Sequence, residues 1–144
     1  DTFNFSTINF HNHQNVFNEE INILIPVFKR IHDRYKKDCG IHEFQFPENY
    51  GWEAFRMKYY EPNRGEFKYH VDGGSFNDMN RFLVFFLYLD EGKGGETVFP
   101  DRDIVVERKI GRILMFPSTW TYPHQGNMPI GNPKHIIGSY LHYA

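Results

Sequence analysis

From Glu53 onward the sequence is broken into short runs of aromatic and β-branched residues separated by Gly, Pro, Asn and Asp. These residue types suit a pleated, half-buried surface, and the spacing predicts strands over Ala54–Tyr60, Lys68–Val71, Phe82–Leu89, Thr97–Phe99, Ile104–Glu107, Arg112–Phe116 and Ile136–Tyr143. Turns are expected at Gly73-Gly74, across Glu91–Gly95 and at Gly131-Asn132-Pro133. Many short strands with turn signals at this spacing suggest a β-sandwich or barrel.

The chain ahead of this region reads differently. Between Asn15 and Asp38, Phe17, Ile21, Leu24, Phe28, Ile31 and Tyr35 recur every three or four residues and draw one apolar stripe down a helix. Asn15 or Asn18 is a candidate cap for its start, Lys36 and Lys37 suit its last turn, and Gly40 its exit. Pro26 leaves two possibilities, a kinked helix or two shorter ones. The expectation is a mainly β protein with a supporting N-terminal helix. Residues 1–53 would provide the helical support, and residues 54–144 the core.

Composition bounds the rest. A chain of 144 residues reads as one domain and buries roughly 68–70% of its unfolded surface, enough for a full core. The net charge of −2 gives no general electrostatic footprint for nucleic acid or an anionic membrane. Cys39 is the single cysteine, so no disulfide can form within the chain and a reducing compartment is favoured. The longest apolar run, Phe82–Leu89, falls well short of the ~20 residues of a membrane-spanning helix. A soluble, cytoplasmic protein is expected. Because the chain begins at Asp1 rather than Met, a targeting segment ahead of it stays open.

Within the β region, Tyr69-His70-Val71-Asp72 comes first. Side chains two apart in an extended segment share a face, so His70 and Asp72 present an imidazole and a carboxylate side by side. By itself His-x-Asp is a common chance pattern, and a strand-end His beside a turn Asp is the plainer reading. His124, some fifty residues on and just past an apolar strand, changes the balance. Two imidazoles and one carboxylate form the facial triad of non-haem Fe(II) oxygenases, with three coordination positions left open. Lys134 follows ten residues later, a cation placed to hold the far carboxylate of a dicarboxylate cosubstrate.

The stretch from Phe55 to Tyr143 resembles the prolyl 4-hydroxylase branch of the 2-oxoglutarate and Fe(II) dependent oxygenases. The resemblance runs through Tyr60, Gly65, His70-Val71-Asp72, Arg81 ahead of Tyr88-Leu89, Gly94-Gly95-Glu96-Thr97-Val98-Phe99-Pro100, Gly111 before Leu114-Met115-Phe116, His124 and Lys134. The Gly-Gly-x-Thr-x-Phe-Pro segment shows no metal or cosubstrate chemistry of its own and serves as a family marker. The resemblance implies a double-stranded β-helix, or jelly roll. His70, Asp72 and His124 would be the iron ligands and Lys134 the partner of the 2-oxoglutarate C5 carboxylate, with Tyr60 and Tyr88 lining the cosubstrate pocket. A core aromatic with its hydroxyl at the surface is the competing reading of each tyrosine. The implied cofactors are Fe(II), 2-oxoglutarate and O2, with ascorbate as a candidate addition.

The same resemblance implies hydroxylation of a peptidyl proline with release of succinate and CO2. Arg81, Trp120 and Tyr122 are the candidate substrate contacts, in a groove that Trp52 and Tyr69 could also rim. Gly73–Asn80 and Glu91–Gly95 are candidates for a lid. Gly74 stands near where some protein-hydroxylating relatives carry a polar residue, and Ser118–Thr121 follows no strict family pattern; both bear on substrate choice. The alternatives are the same chemistry on a free amino acid, small molecule or nucleic-acid base, and a non-catalytic jelly-roll metal-binding module. Lys134 argues against the module, which needs no second cation. The compact length suits a pared-down catalytic domain of microbial or viral type. His11 and His13 read as a polar segment leading into the helix, and His135 should face away from Lys134.

Overall fold

A computed structural model describes residues 3–144 of the protein. Two strands precede the helix, β1 (Phe3–Asn4) and β2 (Ser6–Asn9). A 3-10 turn at Phe10–His13 follows, its start capped by the Asn9 side chain, which accepts from the His11 backbone N–H at 2.9 Å. This turn runs directly into α1 (Gln14–Asp38), so neither Asn15 nor Asn18 acts as its cap.

The helix is continuous through Pro26. Pro26 is on the exposed side, where solvent can satisfy the carbonyl that its missing N–H leaves unpaired. At the far end Gly40 adopts φ +63°, and the N–H groups of Gly40 and Ile41 return to the carbonyls of Lys37 and Lys36. That is a Schellman exit at the glycine expected for it.

Nine further strands follow: β3 (Tyr50–Trp52), β4 (Arg56–Tyr60), β5 (Glu66–His70), β6 (Arg81–Tyr88), β7 (Thr97–Phe99), β8 (Ile104–Val106), β9 (Ile113–Pro117), β10 (His124–Gly126) and β11 (Lys134–Tyr143). They form two antiparallel sheets. The larger has the order β2-β4-β11-β6-β9, with β3 also paired to β11, and the smaller has the order β1-β5-β10-β7-β8. This is the mainly β, jelly-roll architecture expected from the sequence. Residues 1–53 are more than a helical support, because β1, β2 and β3 extend the sheets of the core.

Strand β6 shows how the layers are held together. Leu83 and Phe85 pack outward against Phe28, Leu24 and Ile21 of α1, while Val84, Phe86 and Tyr88 point inward with Phe99, Phe116 and Ile136. A strand buried on both faces needs apolar residues at consecutive positions, which explains its uninterrupted run. The inward layer between the sheets also holds the polar cluster described below. Among the described residues, no helix is long and apolar enough to cross a membrane.

Candidate functional site

His70 closes β5 and His124 opens β10, and the two are direct partners in the antiparallel pairing of these strands. Their ring centroids lie 4.4 Å apart. The predicted strand through Val71 stops at His70, so Asp72 reaches the site from a turn. That turn is fixed where the Gly73 N–H donates to the Ser118 carbonyl at 2.9 Å. The Asp72 carboxylate stands 3.2 Å from His124 Nε2 and 3.8 Å from His70 Nε2. One donor atom from each residue falls within 4.8 Å of the others.

The hydrogen bonds indicate which imidazole nitrogen is free. His70 Nδ1 lies 2.6 Å from the Lys68 carbonyl and His124 Nδ1 3.1 Å from the Tyr122 carbonyl. A carbonyl only accepts, so this assigns a proton to each Nδ1 and turns both Nε2 lone pairs toward Asp72. His70 Nε2 and Asp72 Oδ2 are buried without a hydrogen-bond partner. Burial pushes the Asp72 carboxyl up, but the neighbouring His70 and His124 and the Lys58 ammonium outweigh it and hold the group down at about 2. Burial also keeps His124 below its ordinary value, in the neutral form that coordinates metals. Two imidazoles and an ionised carboxylate, with His70 Nε2 and Asp72 Oδ2 unpaired and facing one point, fit a divalent cation of the Fe(II) type.

Neighbouring side chains hold these groups. Phe67 stacks on the His70 ring at 3.5 Å, and Phe116 meets the His124 ring at 4.7 Å. The Tyr140 hydroxyl donates to Asp72 Oδ1 at 3.0 Å. Arg81 lies 3.8 Å over the Tyr140 ring, donates to the Asp72 backbone carbonyl at 3.2 Å, and is anchored on Glu53 at 2.6 and 2.9 Å.

The triad opens into a cavity of about 380 Å³ of atom-free space, part of it open to solvent. Its walls are Tyr60, Val84, Phe86 and Ile136, with Lys134 facing the triad from the opposite sheet. Lys134 is only 1% exposed, and among the described residues its ammonium has no ion-pair partner. It lies 4.7 Å from the Tyr60 ring centroid and 5.7 Å from that of Tyr88. Burial, reinforced by Arg108 and Lys58, lowers its pKa to about 7. Gly126, two residues past His124, also lines the cavity, and a Cβ there would sit 3.7 Å from Nζ, in ordinary contact.

The structure thus gathers His70, Asp72, His124, Lys134 and Tyr60 around one cavity. Tyr88 stands behind its wall, with its hydroxyl 2.6 Å from Thr97 Oγ1. Of the candidate substrate contacts, Arg81 is engaged by Glu53 and Tyr140, Tyr122 lies under the Arg102 guanidinium at 3.9 Å, and Trp120 is 81% exposed. Trp52 packs in the helix-side core, 5.1 Å from Phe85, and does not rim the cavity. Glu91–Gly95 is not a free lid: buried Arg108 donates to the carbonyls of Lys93 and Gly94. His135 turns away from Lys134, as alternation predicts, and meets Asp90 at 2.8 Å.

Sequence reasoning missed Tyr140, Thr97 and Lys58 as cavity residues. The inward phase of β11, shared by Lys134, Ile136 and Tyr140, is the signal that would have found Tyr140. The Gly-Gly-x-Thr-x-Phe-Pro segment also does more than mark a family. Gly95 has φ +74°, and a Cβ there would lie 3.2 Å from the Lys134 side chain; Thr97 holds Tyr88, and Phe99 packs on His124 at 5.5 Å.

The profile of the 2OG-Fe(II) oxygenase superfamily matches residues 55–142, the stretch that carries this site. No curated protein sequence matches the chain significantly. Among solved structures, the viral collagen prolyl hydroxylase vCPH from Paramecium Bursaria Chlorella virus-1, in its 2OG complex, is similar with a TM-score of 0.66 at 18% identity, covering 97% of this chain and 96% of that one. A Pseudomonas putida prolyl-4-hydroxylase aligns with a TM-score of 0.57 at 20% identity over 81% of this chain and 60% of that one. A Trichoplax adhaerens prolyl hydroxylase in complex with a hypoxia inducible factor peptide aligns at 0.56 and 17% identity, over 64% and 44%.

Proposed function

The chain belongs to the 2OG-Fe(II) oxygenase superfamily, and we propose that it hydroxylates a prolyl residue of a peptide substrate, releasing succinate and CO2. The observation that carries the oxygenase site is the convergence of two imidazole Nε2 atoms and the Asp72 carboxylate, with His70 Nε2 and Asp72 Oδ2 buried and unpaired. The prolyl substrate is supported by the prolyl hydroxylases among the similar structures.

In this reading His70, Asp72 and His124 hold Fe(II), and Lys134 binds the C5 carboxylate of 2-oxoglutarate. Metal and cosubstrate, when bound, would supply the oxidation: 2-oxoglutarate gives succinate and CO2, with one oxygen atom of O2 ending in succinate and the other in the new substrate hydroxyl. The protein supplies position and environment. Lys134 is charged most readily when a carboxylate arrives to offset its burial, so anion binding and protonation support each other. Tyr60 backs the ammonium with its ring and leaves it no competing carboxylate. Tyr140 fixes the Asp72 carboxylate, and the Lys68 and Tyr122 carbonyls fix both imidazole tautomers. Val84, Phe86 and Ile136 give the cavity an apolar wall.

The test is incubation with Fe(II), 2-oxoglutarate and proline peptides, with and without ascorbate. The expected result is succinate release matched by a mass gain of one oxygen atom on a single proline. Stoichiometric succinate without any peptide modification would remove the prolyl assignment. An Asp72→Ala protein with wild-type succinate formation would remove the site.

A further inference from the structure

A second cavity adjoins the first along the inner face of the larger sheet. Lys58, Val84, Phe86, Ile136 and Tyr140 line both, and the second continues to Arg56 and Arg81. It holds about 510 Å³ of atom-free space, part of it open to solvent. Its three cations do not have equal partners. Glu53 receives Arg81 at 2.6 Å and Arg56 at 3.4 Å, and Asp78 receives Arg81 at 3.1 Å. Among the described residues the Lys58 ammonium has no carboxylate at ion-pair distance; it rests 4.9 and 5.3 Å over the rings of Phe5 and Phe67.

The register separates Lys58 from the cosubstrate lysine. Tyr60 pairs with Lys134, and the next inward pair is Lys58 with Ile136. The two lysines therefore rise from successive inward rows, spaced roughly 7 Å along the strands. One faces the cosubstrate end of the first cavity and the other stands where the two cavities meet. Asp72 is the carboxylate whose charge Lys58 feels, but that group is turned to the two imidazoles. A half-buried ammonium set over aromatic rings without a carboxylate is costly until an anion joins it, and the second cavity has room to deliver one.

We propose that Lys58 receives a carboxylate of the substrate in this second cavity and thereby selects acidic substrates over neutral ones. The inference rests on the metal and cosubstrate site proposed above. The carboxylate has two possible sources, an acidic side chain beside the target residue of a peptide, or the α-carboxylate of a free amino acid.

Calorimetry on protein loaded with Mn(II) and 2-oxoglutarate, which binds without turnover, tests it. The ligand pairs are a capped Pro-Glu peptide against Pro-Gln, and free proline against prolinamide. At least one carboxylate ligand should bind the wild type tighter than its amide, by roughly tenfold to a hundredfold for a charge-assisted contact. The pair that discriminates identifies the source. Lys58→Met should abolish that preference and Lys58→Arg should restore much of it, with thermal melting showing both variants folded. Three results overturn the proposal: no preference in the wild type, a preference that survives in Lys58→Met, or a loss of 2-oxoglutarate affinity in Lys58→Met, which would assign this lysine to the cosubstrate. Failure of the wild type to bind Mn(II) or 2-oxoglutarate is read first and separately, and removes the underlying site.

Discussion

Asp90 and Arg108 form an ion pair at 3.0 Å that grips the chain on both sides of Lys134. Arg108 donates to the Pro133 carbonyl at 2.8 Å, and Asp90 accepts from the His135 backbone N–H at 2.9 Å. The same guanidinium reaches Lys93, Gly94 and Asn132, so one buried side chain ties two loop segments to the strand that carries the cavity cation. Arg108→Met leaves Asp90 and these carbonyls without their donor. A loss of about 3–5 kcal/mol is expected, as for breaking a buried pair from one side, measured by urea unfolding. A loss below about 1 kcal/mol would mean that solvent replaces the clamp.

Lys134 gives a pH dependence with a definite sign. Its pKa falls from an ordinary 10.5 to about 7 on burial, so the folded protein binds fewer protons than the unfolded chain between these values. The burial penalty is full below about 7 and fades as pH rises toward 10.5. With Lys134 as the proposed partner of the 2-oxoglutarate dianion, binding needs the ammonium and takes up a proton above about pH 7. Apparent affinity should fall by up to about tenfold per pH unit as pH rises above 7. Calorimetry in two buffers of different ionisation enthalpy should show uptake approaching one proton, and Lys134→Arg should lose the dependence. A flat profile in the wild type would contradict the assignment.

Tyr140 touches the Asp72 carboxylate from β11, 68 residues away in sequence. Tyr140→Phe removes one hydrogen bond while keeping the ring under Arg81. Mn(II) affinity should fall by about 10–100-fold, the usual cost of losing a group that orients a metal ligand. Titration followed by electron paramagnetic resonance of free Mn(II) reads it. Unaltered affinity would show that the carboxylate needs no such support.

Phe28 joins α1 to the larger sheet, fully buried with its ring 4.5 Å from Phe85 and 5.6 Å from Phe55. Phe28→Ala should cost about 3–5 kcal/mol through lost burial and the cavity left behind, seen in urea unfolding. A cost near that of an exposed substitution would mean that α1 contributes little to holding the sheet.

Much of this was legible because it depends on local chemistry. The apolar stripe of α1, the Gly40 exit and the strand runs from β4 onward follow from periodicity and glycine conformation, and each predicted strand exists within a few residues of its expected ends. The missed strands β1, β2, β3 and β10 are two to four residues long. Pieces so short carry no periodicity, and pairing with a neighbour is what makes them strands. The His-x-Asp pair was readable from spacing, yet its alignment was expected from strand alternation, whereas a turn pinned by Ser118 places Asp72.

By itself the sequence determined the mainly β class, the helix, and the candidate residues for the site, since these rest on residue type, spacing and family motif. The tertiary structure alone decided which of them meet. His70 and His124 become neighbours through the register of β5 against β10, and Lys134 faces them because the two sheets pack face to face. It also decided that Tyr88 is spoken for by Thr97, that Glu91–Gly95 is held down, and that Lys58 stands between two cavities. Hydrogen-bond partners and burial belong to contacts between distant segments, and those contacts exist only once both sheets have formed.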